Sequence, residues 1–182
     1  QAAVDIGDDI PSTDVDMKNV DGEMVTLGGI AGDKGTLVVF SCNHCPFVKA
    51  WQDRMVEIGN AATGKGIGVV FINANDPEKY PTDGYEAMQK LAEKKGYEFA
   101  YVVDDTSNVA RAFGARRTPE VFLFDGDGKL VYHGAVDDNA YKPDEVKETY
   151  LQDAIDALLA GQDVAKATTR SMGCSIKFRA KD

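Results

Sequence analysis

Leu37-Val38-Val39-Phe40-Ser41-Cys42-Asn43-His44-Cys45-Pro46-Phe47-Val48 is the stretch on which the reading of this chain turns. Leu37 to Phe40 form an apolar run too short for a helix and rich enough in β-branched residues for a buried strand. Pro46 fits the first turn of a helix, where its missing N–H costs nothing. Phe47, Val48, Trp51, Met55 and Ile58 then recur at helical spacing, the mark of an apolar face turned to a core. A strand therefore ends and a helix begins here, with Cys42 and Cys45 at the junction.

Two thiols so placed can close a small disulfide with little chain rearrangement. The partial positive charge of a helix N-terminus favours a thiolate, so Cys42 is expected to be the exposed nucleophile with a lowered pKa. Cys45, in the first turn and shielded by Pro46 and Phe47, is expected to attack the mixed disulfide and release the product. His44, when protonated, adds a second positive influence and tunes the pair. Half a zinc site has the same spacing, but no second C-x-x-C exists and His44 and His133 are the only histidines. Cys174 and His133 would complete four ligands, though nothing in their spacing demands it, and no metal is expected.

Working outward, Val15 to Leu27 read as a hairpin turning at Asp21-Gly22. Ile67 to Ile72 form a second apolar strand, followed by a polar loop over 73–81. Thr82 is expected to cap a helix carrying Tyr85, Met88, Leu91 and Ala92. Phe99 to Val103 is a further strand, and Val109 to Phe113 a short helix. Val121 to Phe124 and Leu130 to His133 flank Asp125-Gly126-Asp127-Gly128 as a hairpin. Pro143 opens a last helix carrying Val146, Tyr150, Leu151, Ile155, Leu158 and Leu159, and 173–178 suggest one more strand. The expected class is α/β, a central mixed sheet flanked by helices. One domain is expected over 1–182, with an N-terminal hairpin extension over 1–35 and a C-terminal tail or strand over 165–182.

Arg116-Arg117-Thr118-Pro119 precedes the strand over 121–124. A proline there cannot donate to a ladder and marks an edge or a special turn. Together with the upstream C-x-x-C, this pattern resembles the thioredoxin fold. More narrowly it resembles bacterial thioredoxin-like redoxins related to TlpA/ResA and AhpC/TSA proteins. The resemblance rests on residues 40–48, Asn73 to Pro77, Thr118 to Asp125 and Gly173 to Lys177. It implies that Pro119 is a cis-proline packed against the active-site disulfide and that the backbone at Thr118 hydrogen-bonds an extended substrate. It also implies a role in redox homeostasis or antioxidant defence.

Departures from that pattern matter. Thioredoxin's Trp-Cys-Gly-Pro-Cys is absent, Ser41 standing in place of its Trp. Thr36 to Phe40 carry no buried carboxylate, and Val48 replaces the carboxylate of ResA-type proteins. Proton transfer at Cys45 is left to water, Glu120 or Lys49. The His before the second Cys is similar to DsbA-type oxidants and suggests a more oxidising pair than thioredoxin's.

Cys174 has two readings: a resolving or regulatory thiol pairing with Cys42 or Cys45, or a small hydrophobe in a terminal strand, the latter preferred. His133 is expected on an edge strand rather than as a copper ligand. Residues 59–66 nearly spell a P-loop but lack its Ser/Thr and run from helix to strand. Residues 125–128 lack the later ligands of a calcium loop.

Composition narrows the class. The 182 residues carry 20 Lys+Arg against 30 Asp+Glu, a net charge of −10. Nucleic acid and anionic membrane surfaces are therefore not expected as partners, and no apolar run approaches the roughly 18 residues of a membrane span. A hydrophobic content of 43% and three cysteines argue against disorder and against a disulfide scaffold. Gln1-Ala2-Ala3 suits a mature exported protein, periplasmic for instance, with a cytoplasmic location as the alternative.

The expectation is a thiol–disulfide oxidoreductase exchanging electrons with protein disulfides and dithiols and with a redox donor or acceptor protein, needing no cofactor. Two alternatives stand beside it. One is a thiol-dependent peroxidase, with Cys45 as the reacting thiol and Arg116 or Arg117 beside it. The other is a thioredoxin-like copper or metal-binding chaperone without turnover.

Overall fold

The computed structural model describes residues 3–181; of the Gln1-Ala2-Ala3 start, Gln1 and Ala2 lie outside them. In chain order the elements are β1 (Met17–Asn19), β2 (Met24–Val25), α1 (Leu27–Ile30), β3 (Gly35–Phe40), α2 (Pro46–Thr63), β4 (Ile67–Asn73) and α3 (Tyr85–Lys95). They continue with β5 (Ala100–Val103), α4 (Asn108–Phe113), β6 (Arg117–Thr118), β7 (Glu120–Asp125), β8 (Leu130–Gly134), α5 (Tyr150–Leu159) and β9 (Cys174–Ser175). Seven strands form one sheet in the order β2-β1-β5-β4-β3-β7-β8. β3, β4 and β5 run parallel, while β1, β7 and β8 join antiparallel, which makes the sheet mixed as expected. The hairpin is not an appendage, since β1 pairs with β5 and extends the sheet.

Alternation along the strands builds two cores. Leu37, Val39, Val69, Phe71, Val121 and Leu123 face one side, where α2 contributes Val48, Trp51 and Met55 and α5 contributes Leu151 and Ile155. Val38, Phe40, Val70, Ile72, Phe122 and Phe124 face the other, against Val109 and Phe113 of α4. Strands covered on both faces read as unbroken apolar runs. That is why β3 and β4 are legible without alternation.

Several boundaries differ from the sequence reading. Leu27 starts α1, because the Thr26 hydroxyl caps it by accepting from Gly29 N. Thr82 lies in a single 3-10 turn over Pro81–Asp83, and α3 begins after Gly84 with no side-chain cap. Pro143 opens another 3-10 turn, Pro143–Glu145, and α5 begins only at Tyr150. In both cases a proline sets a first turn, but the chain goes extended at the residue that closes it, Gly84 and Val146, so the helix does not propagate from there.

β8 is an edge strand, as expected for His133, but the tail covers it. His133 N donates to Ala167 O, and Thr169 N donates to His133 O. The tail then crosses to β6, where β9 pairs antiparallel with Arg117 opposite Ser175 and Thr118 opposite Cys174. Ile176 N donates to Arg116 O, and Lys177 N to Asn75 Oδ1. The tail strand thus exists, though shorter than residues 173–178 suggested.

Candidate active site

β3 delivers the site. Ser41 N still bonds to Ile72 O of β4, and the chain then leaves the sheet. Asn43 fixes the turn: its N–H donates to Asp83 Oδ1 at 2.8 Å, its Nδ2 donates to Thr82 O, and its Oδ1 accepts from Tyr101 Oη at 2.7 Å. Cys45 is the N-cap of α2 with extended backbone, one residue earlier than expected. The Thr118–Pro119 peptide is cis.

Thr118 is where the sulfurs meet. Cys42 Sγ lies 3.6 Å from Thr118 Oγ1, and Cys45 Sγ lies 3.3 Å from the Thr118 carbonyl oxygen. Cys174 stands opposite Thr118 in the β6–β9 ladder, and Cys45 and Cys174 form a disulfide. Because a bridged sulfur carries no proton, the approach of Cys45 to the carbonyl is a contact and not a hydrogen bond. Cys42 is the free cysteine. The preferred reading of Cys174 as an inert hydrophobe therefore gives way to pairing with Cys45. The backbone edge at Thr118, expected to receive substrate, is in this state occupied by the chain's own β9.

Two expectations about Cys42 are corrected. It is not exposed but fully buried, at 0%. Its thiol pKa is raised, not lowered: burial is the main cause and the Asp83 carboxylate the second. Hydrogen bonds from the Thr118 hydroxyl and from the Cys45 and His44 N–H groups oppose this only in part. A helix N-terminus favours a thiolate, but desolvation outweighs it when the sulfur is closed off from water.

Asp83 is the residue that sequence reasoning missed. It accepts from Asn43 N and from Asn75 Nδ2 at 2.9 Å, and pairs with Nδ1 of His44. His44 stacks on Tyr80 with ring centroids 5.3 Å apart. A ring nitrogen of His44, an Asp83 oxygen and Cys42 Sγ lie within 4.8 Å of one another. This thiol, imidazole and carboxylate set has the chemistry of a proton relay, and with its soft and borderline donors could also meet a metal ion. Its only sequence signal was an Asp in a 3-10 turn far from the motif, which distance along the chain conceals. Burial raises Tyr97 to about 12 and Tyr101 well above the ordinary phenol range, so both remain neutral.

Glu120, one of three groups considered for proton transfer at Cys45, is committed elsewhere. It accepts from Arg116 N and Arg117 N and pairs with His133 Nε2 at 2.7 Å. That ties the cis-proline loop to β8, and it gives His133 a partner that is not a metal. Arg116 and Arg117 are exposed, and Arg117 reaches the Gly173 carbonyl and not Cys45.

The pH response of Cys42 follows. Because burial and, second, the Asp83 carboxylate disfavour a negative charge on this sulfur, ionisation of Cys42, followed by the ultraviolet absorbance of the thiolate, should be complete only well above the ordinary thiol pKa of about 8.5. Asp83→Asn should move that profile to lower pH. An unchanged profile would mean that the carboxylate does not act on the sulfur.

The AhpC/TSA family model matches residues 6–133, most of the sheet together with Cys42, Cys45 and the cis-proline loop. The chain belongs to the AhpC/TSA family. An uncharacterized conserved protein of Geobacillus kaustophilus is 41% identical, with a TM-score of 0.90 over 98% of this chain and 94% of that one. The thiol–disulfide oxidoreductase ResA of Halalkalibacterium halodurans is 26% identical over 115 residues, 63% of this chain and 61% of its own length. A putative thiol:disulfide interchange protein DsbE from Chlorobium tepidum matches with a TM-score of 0.64 at 21% identity, over 86% of this chain and 99% of that one. At that identity the likeness is one of fold, and the fold is thioredoxin-like. Among the described residues, no helix is long and apolar enough to cross a membrane.

Proposed function

We propose that this AhpC/TSA family member is a thiol–disulfide oxidoreductase acting on protein disulfides, with Cys42 as the attacking thiol and Cys45 as the resolving one. The observation that carries this reading is the convergence of both sulfurs on Thr118, beside the cis-proline. Cys42 attacks one sulfur of the substrate disulfide and the other leaves as a thiol. Cys45 then attacks Cys42 Sγ, and the second substrate thiol is released. His44, set beside Cys42 and paired with Asp83, is the group placed to take up the proton that Cys42 gives up. Thr118 and Pro119 offer a backbone edge to an extended chain.

Cys42 is buried while the Cys45–Cys174 bond is closed. Reducing Cys45–Cys174 removes the covalent tie between α2 and β9, and the Thr118 edge can then exchange its occupant. Phe47 and Trp51 of α2, with exposed Tyr141 and Met172, border a groove of about 470 Å³ suited to the side chains of a polypeptide. An exported location suits the reading, since disulfides persist in oxidising compartments.

The test is dithiothreitol-dependent reduction of insulin, followed by turbidity. We expect acceleration well above dithiothreitol alone, with little consumption of hydrogen peroxide and no retention of Cu(I) after gel filtration. Rapid peroxide loss without insulin reduction would install the peroxidase reading. Stoichiometric Cu(I) retention without either activity would install the metal chaperone.

A further inference from the structure

We infer that Cys174 is a third reacting sulfur, the terminal acceptor of a relay in which the disulfide made by Cys42 and Cys45 is passed on to Cys45 and Cys174. The inference rests on the dithiol reading above and extends it. Three observations meet here. Cys45 and Cys174 are bonded while Cys42 is left as a thiol. All three cysteines gather on one residue, Thr118, through its hydroxyl, its carbonyl and its ladder partner. And β9 lies antiparallel along the backbone edge proposed to receive a substrate strand, so that Cys174 is presented as a substrate cysteine would be.

Space has been made for that approach. A Cβ on Gly173 would run into the Thr118 carbonyl group and come within 3.2 Å of Pro119 N. The residue before Cys174 must therefore lack a side chain if β9 is to lie so close to the cis-proline loop. A tail strand that merely filled an edge would not need the sulfur of Cys174 against that of Cys45.

The chemistry balances as three exchanges. The Cys42 thiolate opens the substrate disulfide, forming a mixed disulfide and releasing one substrate thiol. The Cys45 thiolate displaces the second, forming Cys42–Cys45. The Cys174 thiolate then attacks Cys45 Sγ, the Cys42–Cys45 bond breaks, and Cys42 leaves as a thiolate that takes up a proton. Overall one substrate disulfide gains two electrons and two protons, both given up by Cys45 and Cys174, and Cys42 ends as it began. Reduction of the oxidised protein runs the same steps in reverse.

The experiment maps the bonds after one turnover. Fully reduced protein is mixed with one equivalent of insulin, quenched in acid, alkylated and digested with trypsin. Cys42 and Cys45 share the peptide 35–49, while Cys174 lies in 171–177. We expect the two peptides linked through Cys45, with Cys42 alkylated. Cys174→Ser should accumulate Cys42–Cys45 instead. The ratio of reduced to oxidised glutathione needed to reopen its disulfide should change by at least tenfold. Wild-type protein that ends as Cys42–Cys45 with Cys174 alkylated overturns the relay and leaves the dithiol reading standing. Wild-type protein that leaves insulin intact removes that reading, and the relay with it.

Discussion

Cys42→Ala should lower insulin reduction by roughly a thousandfold or more, the scale on which loss of a reacting nucleophile is felt, while leaving the Cys45–Cys174 bond in place. Cys42 is the one cysteine whose sulfur is not already bonded, and the proposed exchange begins from it. Cys45 is as deeply buried as Cys42, but its sulfur is already bonded to Cys174, so it has no thiol with which to begin the exchange. The substitution removes one buried sulfur and no charge, so stability should fall only modestly. Thermal melts of the variant and of the wild type, run beside the activity assay, separate loss of chemistry from loss of fold. Retained activity in a folded Cys42→Ala protein would show that another sulfur starts the reaction.

Gly173→Ala should uncouple Cys174 from the site without touching a cysteine. The new methyl group collides with backbone atoms of Thr118, which cannot rotate away as a flexible side chain would. Either β9 lifts from β6 or the cis-proline loop shifts, and overpacking of this kind costs about 1–3 kcal/mol. At a glutathione ratio that half-closes Cys45–Cys174 in the wild type, the bonded fraction in Gly173→Ala should fall about tenfold, as read by alkylation and mass spectrometry. First-turnover insulin reduction should survive where β9 is the part that yields, because Cys42 and Cys45 are held by β3 and α2 and the cis-proline loop then keeps its place. An unchanged bonded fraction would mean that β9 does not need its close approach.

The sequence carried the fold where local pattern and tertiary placement agree. Unbroken apolar runs in β3 and β4, a proline at the start of α2 and the Asp125–Gly128 turn are local signals, and the structure keeps them. Thr82 and Pro143 show the opposite. Each looks like a helix start, yet the chain goes extended at Gly84 and Val146 before the helices begin at Tyr85 and Tyr150. The site divides in the same way. Cys42, His44, Cys45, Thr118 and Pro119 are drawn together as the motifs suggested. The raised pKa of Cys42 was not legible, because burial depends on what folds over the sulfur and not on the residues beside it in the chain. Asp83 was hidden for the same reason, reaching His44 from a turn after β4. Cys174 was legible as a third thiol, but its partner was not, since strand pairing across the cis-proline loop leaves no periodic mark.

The two anchors of the tail bear on how tightly the third sulfur is held. Thr169 is fixed to β8 five residues before Cys174 (174 − 169 = 5), and Ile176 is fixed to Arg116 two residues after it (176 − 174 = 2). A thiol on so short a double tether cannot diffuse away once its bond is cut. Its effective concentration near Cys45 stays in the millimolar range or above, as for any short linkage between two bound points. Small-molecule thiols must then compete at comparable concentration to keep the bond open. A partner protein that docks on the Thr118 edge must displace β9 against that same tether, so only one with contacts beyond the strand itself gains access to the sulfurs.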